Sequence, residues 1–455
     1  MDRLLAVYSP LDGELIERVP VAGPADCANA VDTAARSLSG WRCTAPAERG
    51  RLLLAAAEAV RGGAQQLADL NHRETGRPRE EAVQGAMAGV DALRQYAEIG
   101  PLHRGRSLLG DWAAMDFMVP EPRGLVVVLT PWNDPVAVAC GLIGAALVTG
   151  NTVVHKPSEH CPGVGRLLTE LIAAELPAGV LTAVLGSAHT GTWLTSHPAV
   201  DLIAHVGGSA TGQQIGMVAA ERRTKVLLEN GGNDALVVDG DVDPGWAAEQ
   251  AALGAFANAG QICTSVERIF VVREIAEEFL AALVDRAGDV ELGPLIDNAL
   301  RQRVHEHVTE ACTQDATLLA GGRIPDGPGC HYPATVLTGC RPGMRVMTEE
   351  TFGPVAPVSV VEDFAHGLRE AALDRHGLAA TVLTGSMANA QQAWRELPVG
   401  TVKINAVFGG APGGAAQPRA DSGDGFGYGP ELLDEMTRTK VVHLESAPRS
   451  GRREP

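Results

Sequence analysis

Residues 124–159 read GLVVVLTPWNDPVAVACGLIGAALVTGNTVVHKPSE. The β-branched runs Leu125–Leu129 and Thr152–His155 have the composition of strands, and the longer stretch near 136–149 between them reads as a helix. The pattern continues downstream. Strand-like runs follow at Leu181–Leu185, Leu202–Val206, Lys225–Leu228 and Leu236–Val238, with helix-like segments near 163–175 and 209–222. Alternating β and α elements predict a mostly parallel sheet covered by helices, an α/β fold. Upstream, residues 25–100 carry apolar spacing of the helical kind, as in AERGRLLLAAAEAVRG and GVDALRQYAEI. A second α/β run extends from 244 to about 405 and begins with a helix that ends before Asn258. Residues 409–430, GGAPGGAAQPRADSGDGFGYGP, read as one long loop, and SAPRSGRREP as a frayed basic tail.

The chain has 455 residues, too many for one ordinary core, so two or three packed domains are expected. Its formal charge is 37 − 55 = −18, with the acidic residues scattered. That balance argues against nucleic-acid and anionic-membrane partners. Eight cysteines without a C-x-x-C pair are too sparse for a disulfide framework and fit a reducing compartment. The N-terminal stretch shows no secretory h-region, and no apolar run reaches the roughly 18 residues needed to span a bilayer, so a cytoplasmic protein is expected.

A lone cysteine is usually a small buried hydrophobe. Cys263 differs by its setting, FANAGQICTSVERIFV, on a glycine-containing turn between an Ala-rich helix and a strand. Glu229 ends the apolar run KVLLE and precedes Asn230-Gly231-Gly232. A carboxylate at the mouth of an α/β sheet is a candidate general base, although a solvated strand-end Glu is the commoner case. Gly207-Gly208-Ser209-Ala210-Thr211-Gly212 lies between strand and helix, where backbone N–H groups can meet a pyrophosphate, but its spacing is not G-x-G-x-x-G. Lys156 and Glu159 end a strand, where each alone reads as a surface charge. His305-Glu306-His307 does not match a zinc spacing and reads as a solvated face, so no metal site is expected.

Together, TPWNDP at 130–135, GNTVVHKPSE at 150–159, GGSATG at 207–212, LENGG at 228–232, GQIC at 260–263 and EETFGPV at 349–355 resemble the aldehyde dehydrogenase superfamily in content and order. The resemblance runs from YSPLDGELIERVPVA, similar to the family's opening hairpin, to about residue 445. It implies oxidation of an aldehyde to a carboxylic acid. Cys263 would be the nucleophile, passing through a thiohemiacetal and a thioester. Asn133 and the Cys263 backbone N–H would bind the oxyanion, and Glu229 would activate the hydrolytic water. For the cofactor it implies Lys156 and Glu159 at the adenosine ribose, and Gly207 and Gly212 leaving room for the pyrophosphate. Glu350 would hold the nicotinamide ribose, with Phe352 and Trp132 nearby. A carboxylate at Glu159 suits a ribose diol, which favours NAD and leaves NADP open through Lys156.

The implied architecture is a Rossmann-like dinucleotide-binding domain (1–103 and 123–231), an α/β catalytic domain (232–431) and a small β oligomerisation element. That element would comprise 104–122 and 432–455, with 104–122 pairing with a C-terminal strand around Lys440–Leu444. A homodimer or homotetramer would cover its edge. The substrate would be a small-molecule aldehyde, with a specialist semialdehyde or aminoaldehyde enzyme as the alternative. A non-catalytic binding or structural protein on the same scaffold is the reading from another class.

Three positions depart from the family pattern. Asp134 stands where an aromatic usually lines the substrate tunnel, and is expected to favour polar, hydroxylated or amino-bearing aldehydes. Ala415-Ala416-Gln417-Pro418-Arg419-Ala420 replaces the usual aromatic-bearing segment, and glycine-rich 409–414 should leave a wide mouth. Leu142 and Gly427 replace a Lys–Glu relay behind the general base. Restoring the pair is expected to speed thioester hydrolysis.

Overall fold

The computed structural model describes residues 4–409 and 417–447. Two sheets organise it. The six-stranded sheet runs, in spatial order, Gly423–Asp424, Lys225–Glu229, Leu202–Val206, Leu125–Leu129, Thr152–Lys156, Leu181–Ala183. Its last five strands are parallel, and Gly423–Asp424 pairs antiparallel with Leu228–Glu229. The seven-stranded sheet runs Thr317–Ala320, Thr335–Thr338, Val355–Val361, Val266–Val272, Asp234–Val238, Ala379–Leu383, Thr401–Ile404. It is parallel except at its first strand.

Leu125–Leu129 is buried along its whole length because helices cover both faces of its sheet. Val126 and Val128 pack with the helices Pro46–Gly62, Arg79–Ile99 and Pro135–Val148. Leu125, Val127 and Leu129 pack with Pro24–Cys43 and Ser209–Arg222. Pro135–Val148 carries almost no polar side chain and is correspondingly buried nearly all round. Among the described residues, no helix is long and apolar enough to cross a membrane.

The opening hairpin forms as Leu4–Tyr8 against Leu15–Pro20. Met115–Pro122 pairs with Thr437–Leu444 in a three-stranded sheet completed by Arg106–Leu108. The 409–430 stretch differs from its reading as one loop: Arg419–Ala420 pairs with His376–Gly377, and Gly423–Asp424 joins the six-stranded sheet. Gly423 and Gly425, on either side of Asp424, take positive φ of +128° and +90°, which glycine adopts without strain. Residues 410–416, with the expected wide mouth and Ala415-Ala416, lie outside the described residues, as does the tail beyond 447.

Strand order places the functional region. The chain leaves Leu125–Leu129 toward one edge of its sheet and returns to its other side at Leu202–Val206, so a crevice opens beyond the carboxyl ends of these two strands. From Glu229 the chain passes directly into Asp234–Val238. The amino ends of the second sheet's strands therefore face the carboxyl ends of the first.

Candidate active site

A cavity of about 480 Å³ occupies this junction. From the first sheet come Trp132, Asn133, Gly207 and Glu229, each at or just beyond a strand's carboxyl end. From the second come Cys263, Glu350 and Phe352, which precede the strands Val266–Val272 and Val355–Val361. Lys156, Glu159 and Gly212 stand outside its lining.

The turn bearing Cys263 is built against strain. After the helix Pro244–Phe256, Asn258 and Ala259 adopt left-handed backbone (φ 49° and 54°), which costs an alanine about 1–2 kcal/mol. Gln261 braces the turn. Its Nε2 donates to the carbonyls of Asn258 (3.0 Å) and Pro294 (3.2 Å), and its Oε1 accepts from Ile296 N–H (2.9 Å). The Gln261 carbonyl accepts from Asn133 Nδ2 at 3.0 Å. One amide N–H of Asn133 is thereby fixed, and the other has no hydrogen-bond acceptor among the described residues.

Burial pushes the Cys263 thiol well above its ordinary range, and the carboxylates Glu229, Asp234 and Glu350 add to the shift. The thiol form therefore prevails at neutral pH, and a base must take its proton. Burial also raises the Glu229 carboxyl, which makes its ionised form a stronger proton acceptor.

Behind Glu229, Leu142, Leu227 and Gly427 line a void of about 10 Å³. That is barely one water by the usual threshold of roughly 10–15 Å³. A Cβ at position 427 would overlap Glu229 Oε2. Any side chain at 427 would oblige the flexible end of Glu229 to shift.

The loop carrying Glu350 and Phe352 is pinned from below. Glu267, buried four residues beyond Cys263, accepts from the N–H groups of Thr351 (3.1 Å) and Phe352 (3.0 Å). Burial and the neighbouring Glu350 charge push its carboxyl up to about 8. Phe352 is itself left-handed (φ 54°) and meets Trp132 edge-on at 5.6 Å. Glu350 Oε1 accepts from Gly232 N–H at 3.1 Å. His307, read as part of a solvated face, is fully buried and places Nδ1 3.0 Å from Thr351 Oγ1, supporting the same loop.

Lys156 is also buried, with Nζ donating to the Pro157 carbonyl (2.9 Å) and Glu159 Oε2 (3.4 Å). The helix Ser209–Arg222 starts at Gly208 with no side-chain cap, so no side chain competes for its first-turn N–H groups. Gly208 is open, whereas a Cβ on Gly212 would overlap the Asn230 side chain. Gly212 therefore serves close helix–strand packing rather than room for a ligand.

Asp134 lines the cavity, as its family position implies, but it is not a free charge: Arg77 Nη1 lies 3.1 Å from its Oδ1. The same nitrogen donates to the Asn133 carbonyl at 3.1 Å. Sequence reading missed Arg77, Gln261 and Glu267. Only Glu267 carried a local signal, a carboxylate inside the apolar strand VERIFVV.

The aldehyde dehydrogenase family profile matches residues 2–442. The betaine aldehyde dehydrogenase of Cereibacter sphaeroides is 34% identical over 98% of this chain and 94% of its own length. The betaine aldehyde dehydrogenase 1 of Rhizobium meliloti is 33% identical over 96% and 93%. Among solved structures, betaine aldehyde dehydrogenase from Staphylococcus aureus in complex with NAD⁺ superposes with a TM-score of 0.95 at 29% identity, covering 100% of this chain and 94% of that one. Lactaldehyde dehydrogenase from Escherichia coli gives 0.95 at 29% identity, covering 98% and 96%. This chain belongs to the aldehyde dehydrogenase family.

Proposed function

We propose that the enzyme oxidises an aldehyde to its carboxylic acid on Cys263, using NAD. The observation that carries this is the meeting of Cys263, Asn133 and Glu229 in one cavity. Glu229 takes the thiol proton. The thiolate adds to the aldehyde carbon, and the free N–H of Asn133 with the Cys263 N–H stabilises the oxyanion of the thiohemiacetal. Loss of one oxyanion donor costs other enzymes roughly 2.7–4 kcal/mol, so Asn133 is a large contributor. NAD, when bound, supplies the two-electron acceptor that converts the thiohemiacetal to a thioester. Glu229, once it has released the thiol proton to solvent, removes a proton from water as its oxygen attacks the thioester carbonyl. The Cys263 thiolate leaves and the acid is released.

Several features fit a dinucleotide. The uncapped helix start at Gly208 suits a pyrophosphate, Lys156 and Glu159 suit a ribose diol, and Glu350 suits the second ribose. Because Lys156 is already paired with Glu159, a 2′-phosphate would have to break that pair and face the carboxylate. Purified enzyme mixed with NAD and an aldehyde should form NADH and acid in equal amounts, with higher kcat/KM for NAD than for NADP. Glu159→Gln should narrow that gap about tenfold; a native preference for NADP would contradict the assignment.

Glu267 acts on the cofactor side by holding the loop of Glu350 and Phe352. Glu267→Ala leaves two loop N–H groups without their acceptor, each costing about 1–3 kcal/mol. The expected result is a rise in the Kd for NAD of about tenfold, read by fluorescence titration, with Glu267→Gln recovering only part of it, because an amide accepts from one of the two N–H groups and not from both.

A homodimer or homotetramer is part of the same proposal. Thr437–Leu444 forms the edge of its sheet, and Val441 and Leu444 are 64% and 50% exposed.

A further inference from the structure

Arg77 and Asp134 form an ion pair in the wall of the cavity that holds Cys263. The Arg77 side chain is 14% exposed, and Asn133, Asp134 and Glu81 (3.8 Å) hold it in place. A guanidinium keeps its charge at any physiological pH, so the cavity carries a fixed cation. Asp134 is 36% exposed, yet its Oδ1 is occluded on the Arg77 side. The accessible oxygen is therefore Oδ2, which accepts no hydrogen bond within the described chain.

The pair discriminates among aldehydes by the group they carry. A trimethylammonium head is best held by aromatic faces. The cavity's aromatic rings pack on one another instead, Trp132 on Phe352 at 5.6 Å and on His160 at 6.2 Å. Phe426 and Tyr428 are not part of the described lining. A primary ammonium would meet a carboxylate that Arg77 already neutralises. An unsubstituted alkyl chain would strip water from Asp134 and return no hydrogen bond. A hydroxyl costs little to desolvate and donates to Oδ2.

We infer that the Arg77–Asp134 pair makes this an oxidoreductase of neutral, hydroxylated aldehydes, with Asp134 accepting from a substrate hydroxyl. The inference rests on the proposed reaction at Cys263, and narrows the expectation from sequence that amino-bearing aldehydes would also be favoured.

The test compares kcat/KM for butanal, its 2-, 3- and 4-hydroxy derivatives, 4-aminobutanal and betaine aldehyde with the native enzyme and NAD. At least one hydroxybutanal should exceed butanal by about tenfold or more, the value of one hydrogen bond to a charged acceptor. Asp134→Leu should bring that ratio close to one. Equal use of butanal and every hydroxybutanal by the native enzyme overturns the inference, as does preference for either cationic aldehyde. Both comparisons need no variant to fold. Absence of NADH formation from all six, in enzyme whose Cys263 still reacts with iodoacetamide, overturns the reaction itself along with its substrate class.

Discussion

Cys263→Ala is expected to lower NADH formation by on the order of 10⁴-fold or more, because no other group in the cavity can form the thioester. The Kd for NAD should stay within about threefold, since the thiol contributes little to holding a dinucleotide. Cys140→Ala and Cys161→Ala are the matched controls. Both side chains are fully buried in the first sheet's core, away from the cavity lining, so their loss should cost stability before turnover. Rapid chemical quench of the native enzyme should trap a covalent acyl species that Cys263→Ala lacks. Near-native turnover in Cys263→Ala would remove the basis for the mechanism.

Gly427→Ala is the second large effect. Its new methyl would come within overlap distance of the place of Glu229 Oε2, so the carboxylate end of the base must shift. General-base catalysis is worth about 10²–10⁴-fold, and a loss in that range is expected in steady-state kcat. The void behind Glu229 is too small for a chain of waters, and Leu142 offers it no hydrogen bond, so hydrolysis should already be the slow step in the native enzyme. A pre-steady-state burst of NADH should therefore precede a slower steady rate. Because burial raises the Glu229 carboxyl, its active, ionised form is gained only as pH rises through that raised value. The slow phase should accelerate with pH more than the burst does. A primary deuterium isotope effect on kcat with no burst would place the oxidation step, not hydrolysis, at the bottleneck.

Much of this site is legible without coordinates, for local reasons. Leu125–Leu129 is visible because a strand buried by helices on both faces is apolar throughout, and Leu202–Val206 and Lys225–Leu228 because they repeat its short apolar run between helix-like segments. Cys263 and Glu229 stand out because the segments GQIC and LENGG that carry them resemble the family's motifs in content and order. The three-stranded sheet was legible through family likeness, since nothing in Met115–Pro122 alone names Thr437–Leu444 as its partner. Side chains whose meaning lies in a distant contact were not legible. Arg77 in TGRPRE has the look of a surface charge, and becomes a wall of the cavity only because Asn133 and Asp134 arrive opposite it. Gln261 looked like one letter of a motif, yet it ties the Cys263 turn to Pro294 and Ile296.

The sequence by itself determined the α/β class and the family and pointed to candidate reacting groups, because hydrophobic period and chemical type are properties of single residues and their neighbours. Only the tertiary structure decided how those groups are tuned. Asp134 is paired with a residue 57 positions away, Lys156 is buried against Glu159, and Gly427 lies against the carboxylate of Glu229. Charge compensation, desolvation and steric overlap depend on what comes within a few ångströms across the fold, and sequence order carries no record of that distance.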